Sequence, residues 1–248
     1  MSRTIVVLPT YDEAENLPLI VPKILEQTPS IEVLVVDDDS PDGTGRLADE
    51  LAARSPRVHV LHRKTKEGLG AAYRAGLARA LELGADVLIQ MDADFSHPPD
   101  QIPTLLAELE QADVVLGSRY LNGITVVNWP IERILISWFG NLYARKATGL
   151  ALSDMTGGFR CVRREMFERI GFDRIRADGY AFQIELNYRF VKAGARIREI
   201  PFFFLDRTRG ESKLDWRIGF EALWIVWWLR LASLLGRIET RPAPDARP

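Results

Sequence analysis

Between residues 4 and 117 the chain repeats one pattern, a short apolar run followed by a segment of helical period. "TIVVLP" precedes 14–27, "IEVLVVDD" precedes 44–54, "VHVLH" precedes 69–83, and "DVLIQMD" precedes 100–111 and then "DVVLG". Runs that are apolar at nearly every position suit strands buried on both faces, and their alternation with helices predicts a mostly parallel sheet covered on both sides. Sheets of this kind carry their ligand loops at the carboxyl ends of the strands. Here those ends are acidic: Asp12 and Glu13, then Asp37–Asp39, then Asp92 and Asp94. Pro18 and Pro22 fall in the first helical segment and leave its start open, with Pro18 suited to a first turn.

Beyond residue 118 the alternation weakens. A helix opened by Pro130 is expected over the following stretch to 148, and "GGFRCVRREMF" reads as a strand running into a short helix. Residues 178–193 read as a helix and "ARIREIPFFFLDR" as a strand. No internal repeat or linker interrupts the chain. The expected organisation is an α/β domain over 1–214, a tryptophan-rich helix over 215–237, and a disordered, proline-rich polar tail over 238–248.

The 248 residues are 47% hydrophobic and 27% charged, which fits a soluble globular chain. A formal net charge of −2 leaves no global basic field to recruit nucleic acid. Cys161 is the only cysteine, so no intramolecular disulfide is possible and a reducing, cytoplasmic compartment is expected. The first apolar run starts at residue 4, which on this reading leaves no room for a secretory leader. "IGFEALWIVWWLRLASLL", residues 218–235, carries three of the six tryptophans. It is shorter than the roughly 20 apolar residues of a spanning helix and contains Glu221 and Arg230. The expectation is an amphipathic helix lying in the membrane interface through Trp224, Trp227 and Trp228. The alternative is a helix that covers the core or contacts a second copy.

"MDADFSHPP" drives an apolar run into Asp92 and Asp94. Two carboxylates flanking Ala93 at a strand end can converge on one point, and hard oxygen donors suit Mg²⁺ or Mn²⁺. A helix start at Pro98 capped by Asp94 or Ser96 is the plainer reading, but it leaves Asp92 without a task. In "VVDDDSPDGTG" three adjacent aspartates repel unless donors or ligands compensate. Asp38 can accept hydrogen bonds from a nucleoside, while "SPDG" is turn chemistry. "EGLGAAYRAG" fails as a dinucleotide fingerprint, because Tyr73 stands where the third glycine belongs. It reads as the glycine-lined start of a helix. His97 is expected to shape its loop, His59 and His62 to pack or face solvent, and Tyr143 and Phe202–Phe204 to join the core. Arg133 and Ser137, one turn apart, suit a phosphate, with Ile131, Leu135, Trp138 and Leu142 as a separate apolar stripe. Arg119 follows the fifth strand, and Arg207, Arg209 and Lys213 make their loop cationic.

"LPTYDEAENLPLIV", "VDDDSPDGT", "GLGAAY", "MDADFSHPP", "GSRY", "TGGFR" and "DRTRGESKL" resemble, in this order, the motifs of family-2 glycosyltransferases with the GT-A fold. The closer resemblance is to the polyprenol- (dolichol-) phosphate mannosyltransferases. It implies a Rossmann-like GT-A sheet and a GDP-mannose donor held by Pro9, Tyr11, Glu13, Val36 and Asp38 around the nucleoside. Asp92, Ala93 and Asp94 would position Mg²⁺ or Mn²⁺ and the diphosphate, with Arg207 and Lys213 over the donor phosphates. Arg119, Arg133 and Ser137 would take the phosphate of a polyprenyl acceptor, with Arg119 also reaching the donor and joining Asp92 and Asp94 in catalysis. Some relatives place Gln two positions after the second aspartate, where this chain has Ser96.

The resemblance further implies peripheral attachment to the cytoplasmic face of a membrane, with a membrane-protein partner possible. A glucosyltransferase to polyprenyl phosphate using UDP-glucose is the nearest rival. A sugar-nucleotide pyrophosphorylase would call for a glycine- and basic-rich signature where "PTYDEAEN" stands. A non-catalytic nucleotide-binding subunit has no evident need for the full set of aspartates and basic residues.

Overall fold

The computed structural model describes residues 2–175, 177–206, 225–233 and 235. The first half is a run of βα units: β1 (Thr4–Thr10), α1 (Leu17–Leu25), β2 (Ile31–Asp37), α2 (Thr44–Arg54), β3 (Val58–His62), α3 (Leu69–Glu82) and β4 (Val87–Gln90). A single 3₁₀ turn leads into α4 (Ile102–Leu109), then β5 (Val114–Ser118) and a short β6 (Val126–Val127). The second half contains α5 (Ile131–Thr148), β7 (Arg160–Arg163), α6 (Arg164–Arg169), α7 (Gly179–Lys192), β8 (Ile197–Pro201) and β9 (Phe204–Leu205). Pro18 sits in the first turn of α1, where its missing N–H costs nothing.

Seven strands form one sheet in the order β3-β2-β1-β4-β7-β5-β8. All neighbours are parallel except β7, which runs antiparallel to both β4 and β5. β6 and β9 pair separately. The expected mostly parallel sheet is therefore present, and the inserted β7 is its one reversal. Alternate residues feed two cores. Ile5, Val7, Leu34, Val36 and Leu88 pack beneath α3 and α7, while Val6, Leu8, Val33, Val35 and Ile89 pack against α1 and α4. Burial on both faces is why these strands read as unbroken apolar runs.

The strand expected over 195–207 breaks into β8 and β9. Phe203 consequently points away from the core and is 67% exposed, contrary to its assignment there, while Phe202 is buried. Near the C-terminus, residues 225–233 are helical. Val226, Leu229 and Ala232 are buried, and the segment is tied to α5 by Trp227 Nε1 donating to the Tyr143 hydroxyl (2.7 Å) and Arg230 to the Ala147 carbonyl (3.0 Å). Its other face exposes Trp227, Trp228 and Leu231. One face of this segment therefore covers the core, as the alternative expected, and the other is open. Trp224 lies outside the described residues. Among the described residues no helix is long and apolar enough to cross a membrane.

Close approach of α3 to the sheet depends on Gly76. A Cβ there would stand 2.5 Å from Val7 Cγ1 and 2.7 Å from Val36 Cγ2. Both valines are stiff at χ1 and fully buried, so neither can yield. Gly76→Ala gains up to about 1 kcal/mol of helix propensity, against an overpacking cost of about 1–3 kcal/mol. The expected result is a lower thermal midpoint by about 2–4 °C per kcal/mol of net loss, measurable by circular dichroism.

Candidate active site

The carboxyl ends of β1, β2 and β4 open into one cavity of about 420 Å³. Asp92 and Asp94 lie on its wall, just past the buried end of β4. The Tyr73 hydroxyl donates to Asp92 Oδ1 at 2.8 Å. The Asp92 N–H donates to His97 Nδ1 at 2.9 Å, so when the ring is neutral its proton sits on Nε2. Burial pushes the His97 pKa down, against the opposing pull of Asp92 and Asp94, and keeps the ring uncharged. The ring stacks on Phe159 at 5.0 Å. His97 therefore shapes the loop, as its place before two prolines suggests. Asp94 Oδ1 accepts from the Ser96 N–H (3.0 Å) and hydroxyl (2.6 Å), which makes Ser96 a positioning group for Asp94.

Tyr73 is fully buried, and burial together with Asp92 raises its pKa well above the ordinary 10, so it remains a donor. The glycines of "EGLG" also have a task. Asp178 caps α7 and accepts from the backbone N–H groups of Gly179 (2.8 Å) and Gly70. Gly68 has φ +105°, and a Cβ on either Gly68 or Gly70 would collide with the Asp178 carboxylate. The segment is no dinucleotide fingerprint, but its role exceeds a plain helix start.

Pro9, Tyr11, Glu13 and Asp38 line the same cavity. Asp38 is buried and paired to Arg63 at 2.6 Å, with burial raising its pKa and Arg63 opposing. Asp37 accepts from the Ser40 hydroxyl at 2.6 Å, and Asp42 holds Thr44 and the Ala14 N–H. This is how the aspartate run escapes its self-repulsion. Lys66 lies 3.8 Å above the Tyr11 ring. Val36 does not line the cavity: its side chain alternates into the core against α3. Strain concentrates at the same edge, with Asp12, Asp39 and Phe95 at φ 60°, 58° and 63° directly after β1, β2 and β4.

The third wall is cationic and aromatic. Arg119, after β5, grips Asp154 with both ends of its fork (2.7 and 2.8 Å) and donates to the Thr156 hydroxyl at 2.8 Å. Its guanidinium lies 5.4–5.9 Å from the rings of Tyr120, Phe204 and Trp129. Burial opposes ionisation of Asp154, yet the charge and hydrogen bonds of Arg119 hold its carboxyl below the usual range. Arg133 pairs with Asp206 at 2.9 Å and stacks 4.0 Å over Trp129. Both arginines line the cavity; Ser137 does not, since its oxygen accepts from the Tyr120 hydroxyl at 2.6 Å. Arg207, Arg209 and Lys213 lie outside the described residues. The site also uses Arg63, Lys66, Tyr73, Asp154 and Asp178, which the sequence reading did not select.

The match to the glycosyl transferase family 2 model covers residues 5–171. The chain belongs to this family. The undecaprenyl-phosphate mannosyltransferase of Micrococcus luteus is 49% identical over 221 residues, spanning 89% of this chain and 91% of that protein. The polyprenol monophosphomannose synthase of Mycolicibacterium smegmatis is 48% identical over 215 residues, 86% and 81% of the two chains. Among solved structures, a Mycobacterium tuberculosis glucosyl-3-phosphoglycerate synthase with Mn²⁺, UDP and its product aligns at TM-score 0.64 with 22% identity. It covers 96% of this chain and 80% of that one. A Pyrobaculum calidifontis mannosyltransferase with GDP-Man and Mn²⁺ aligns at TM-score 0.54 with 19% identity, covering 94% and 74%. At these identities the two structures establish the shared GT-A fold.

In this family-2 glycosyltransferase the Arg119–Asp154 pair is buried, so breaking it exposes the cost of the orphaned charge. Arg119→Met should destabilise the fold by about 3–5 kcal/mol. Without its cation the buried Asp154 carboxyl rises above its ordinary pKa of 3.8. It then holds its proton more tightly folded than unfolded, so the variant's deficit should widen as pH rises from about 4 towards 7. Wild type has the opposite sign: its lowered Asp154 pKa contributes stability above 3.8 that is lost as pH falls through the folded value. Urea unfolding at several pH values measures both.

Proposed function

We propose that this glycosyltransferase moves a mannosyl group from GDP-mannose to polyprenyl phosphate, inverting the anomeric centre to give the β-linked lipid phosphate sugar. One observation carries the reading. Asp92 and Asp94 line a single cavity of about 420 Å³ together with Arg119 and Arg133, so carboxylates and guanidiniums meet one enclosed volume. The names and near full-length similarity of the two relatives support the mannosyl donor and the polyprenyl acceptor.

The chemistry of the donor set fits a divalent ion. Asp92 and Asp94 supply hard carboxylate oxygens at one cavity wall, each oriented by a hydroxyl donor, Tyr73 or Ser96. Among the described residues no group of three or more His, Cys, Asp or Glu side chains is arranged to hold a metal. Two carboxylates suit Mg²⁺ or Mn²⁺, which take their remaining ligands from phosphate and water. Bound there, such an ion neutralises negative charge on the departing diphosphate.

The acceptor phosphate is a monoester with a second pKa of about 6, so it arrives ionised and needs no general base. One of its oxygens bonds to the anomeric carbon while the bond from that carbon to the GDP oxygen breaks, its electron pair leaving with GDP. Arg119, fixed by Asp154, and Arg133, fixed by Asp206, hold the acceptor anion in line. Asp38 and its neighbours hold the nucleoside.

A polyprenyl acceptor stays in a bilayer, and the surface beside the cationic wall is apolar. The first turns of α5 expose Ile131, Leu135, Ile136, Trp138 and Phe139, and the C-terminal helical segment, tied to the last turns of α5, exposes Trp227, Trp228 and Leu231. The sequence stripe on α5 therefore faces outward, joined by Ile136 and Phe139. This face supports peripheral attachment to a membrane, on our reading at its cytoplasmic leaflet.

Incubation with GDP-mannose, Mg²⁺ and a polyprenyl phosphate should yield a β-mannosyl lipid phosphate, identified by mass and anomeric coupling. Transfer from UDP-glucose in its place would overturn the donor. Asp94→Asn should lower turnover at least about 100-fold, and near-normal turnover would remove its role. In liposome flotation, Ile136→Ser with Phe139→Ser should cut membrane partition at least about 10-fold, since burying each side chain contributes about 1.5–3 kcal/mol. Unchanged partition would place the membrane contact elsewhere.

A further inference from the structure

Gln183, in the second turn of α7, stands apart from the charged machinery of the cavity. Its side chain is on the cavity wall and the residue is 2% exposed, yet among the described residues neither its Nε2 nor its Oε1 has a hydrogen-bond partner. A buried polar group left unsatisfied is costly, so a side chain kept in this state is matched to something that enters the cavity. Among the described residues Gln90 and Arg160 Nε also lack partners but do not line the cavity, and Trp129 Nε1, which does line it, offers a single donor only.

The surroundings say what enters. A Cβ on Gly158 would sit 3.4 Å from Gln183 Nε2, 3.6 Å from His97 Cε1 and 4.0 Å from Asp92 Oδ1. The missing side chain leaves open a recess bounded by a neutral amide, an uncharged imidazole and one of the two aspartates. An amide offers two donors and an acceptor together. A phosphate would use only the donors and a cation only the acceptor. A pair of hydroxyls on a sugar ring uses both. On the proposed reading, the nucleoside is held at Asp38, the diphosphate with its ion at Asp94, and the acceptor phosphate at Arg119 and Arg133.

We propose that Gln183 is a sugar-binding residue that holds hydroxyls of the transferred hexose beside Asp92. The proposal rests on reading the cavity as a sugar-nucleotide site, and deepens that reading by separating sugar from nucleotide recognition. The role gives a signature that a structural glutamine would not. Gln183→Leu removes both polar atoms at similar volume, so the apo protein should keep or raise its thermal midpoint. GDP should bind within about 2-fold of wild type, while kcat/KM for GDP-mannose should fall at least about 10-fold.

The experiment is calorimetric titration of GDP and steady-state transfer from GDP-mannose to polyprenyl phosphate, for full-length wild type and Gln183→Leu. Gln183→Asn, which keeps the amide on a shorter arm, is run alongside and should recover part of the loss. Wild-type kcat/KM in Gln183→Leu overturns the proposal, as does loss of GDP affinity in step with kcat/KM. Failure of the underlying reading looks different, because wild type itself would then transfer nothing from GDP-mannose. In that case UDP and UDP-glucose are substituted. The same split between nucleotide affinity and transfer upholds the sugar role, and inactivity with both donors overturns it with the reading.

Discussion

The arrangement of this molecule depends on opposed charges held apart across one edge of a sheet. β1, β2 and β4 are too buried to carry charge along most of their length, so apart from Glu32 at the start of β2, which Arg3 and His59 pair, their acidic residues appear where each strand ends. Each charged group is then fixed by a partner from elsewhere in the chain. Arg63 holds Asp38, Asp154 holds Arg119, and Asp206 holds Arg133. Buried pairs of this kind return little net stability, because desolvation offsets much of their attraction. Their value here is positional: they keep carboxylates and guanidiniums from collapsing onto one another and preserve the space between.

Neutral groups do the same work on a finer scale. Tyr73 and Ser96 each orient one aspartate, and the uncharged His97 fixes the backbone of the first. The local strain at Asp12, Asp39 and Phe95 belongs with this, since sharp turns after three strands aim successive loops at a common volume. The apolar face of α5 adjoins the cationic wall through Arg133, which sits on the same helix. A large outward apolar surface is uncommon on a soluble protein and marks a contact with lipid or protein.

Much of the fold was legible because burial on both faces leaves an unmistakable run of apolar residues, and every βα unit before residue 118 followed from it. The antiparallel β7 was not, since "RCVR" carries no mark of direction and its place between β4 and β5 is set by pairing across the chain. In the site, residue types at strand ends were legible, which is why Asp38, Asp92 and Asp94 stand where the motifs put them. Their partners were not. Tyr73 reaches Asp92 across 19 positions, Arg63 reaches Asp38 across 25, and Arg119 reaches Asp154 across 35. Local pattern also misled where a side chain had two options, as Ser137 turns to Tyr120 and Phe203 outward, while Val36, named by the resemblance, points into the core.

The central claim is that the paired aspartates serve a nucleotide sugar by way of a divalent ion. Calorimetric titration of GDP-mannose into the protein, with Mn²⁺ and again with EDTA, tests it most directly. The account predicts tight binding with the ion and a loss of at least about 10-fold on chelation. Equal affinity in the two buffers would contradict it.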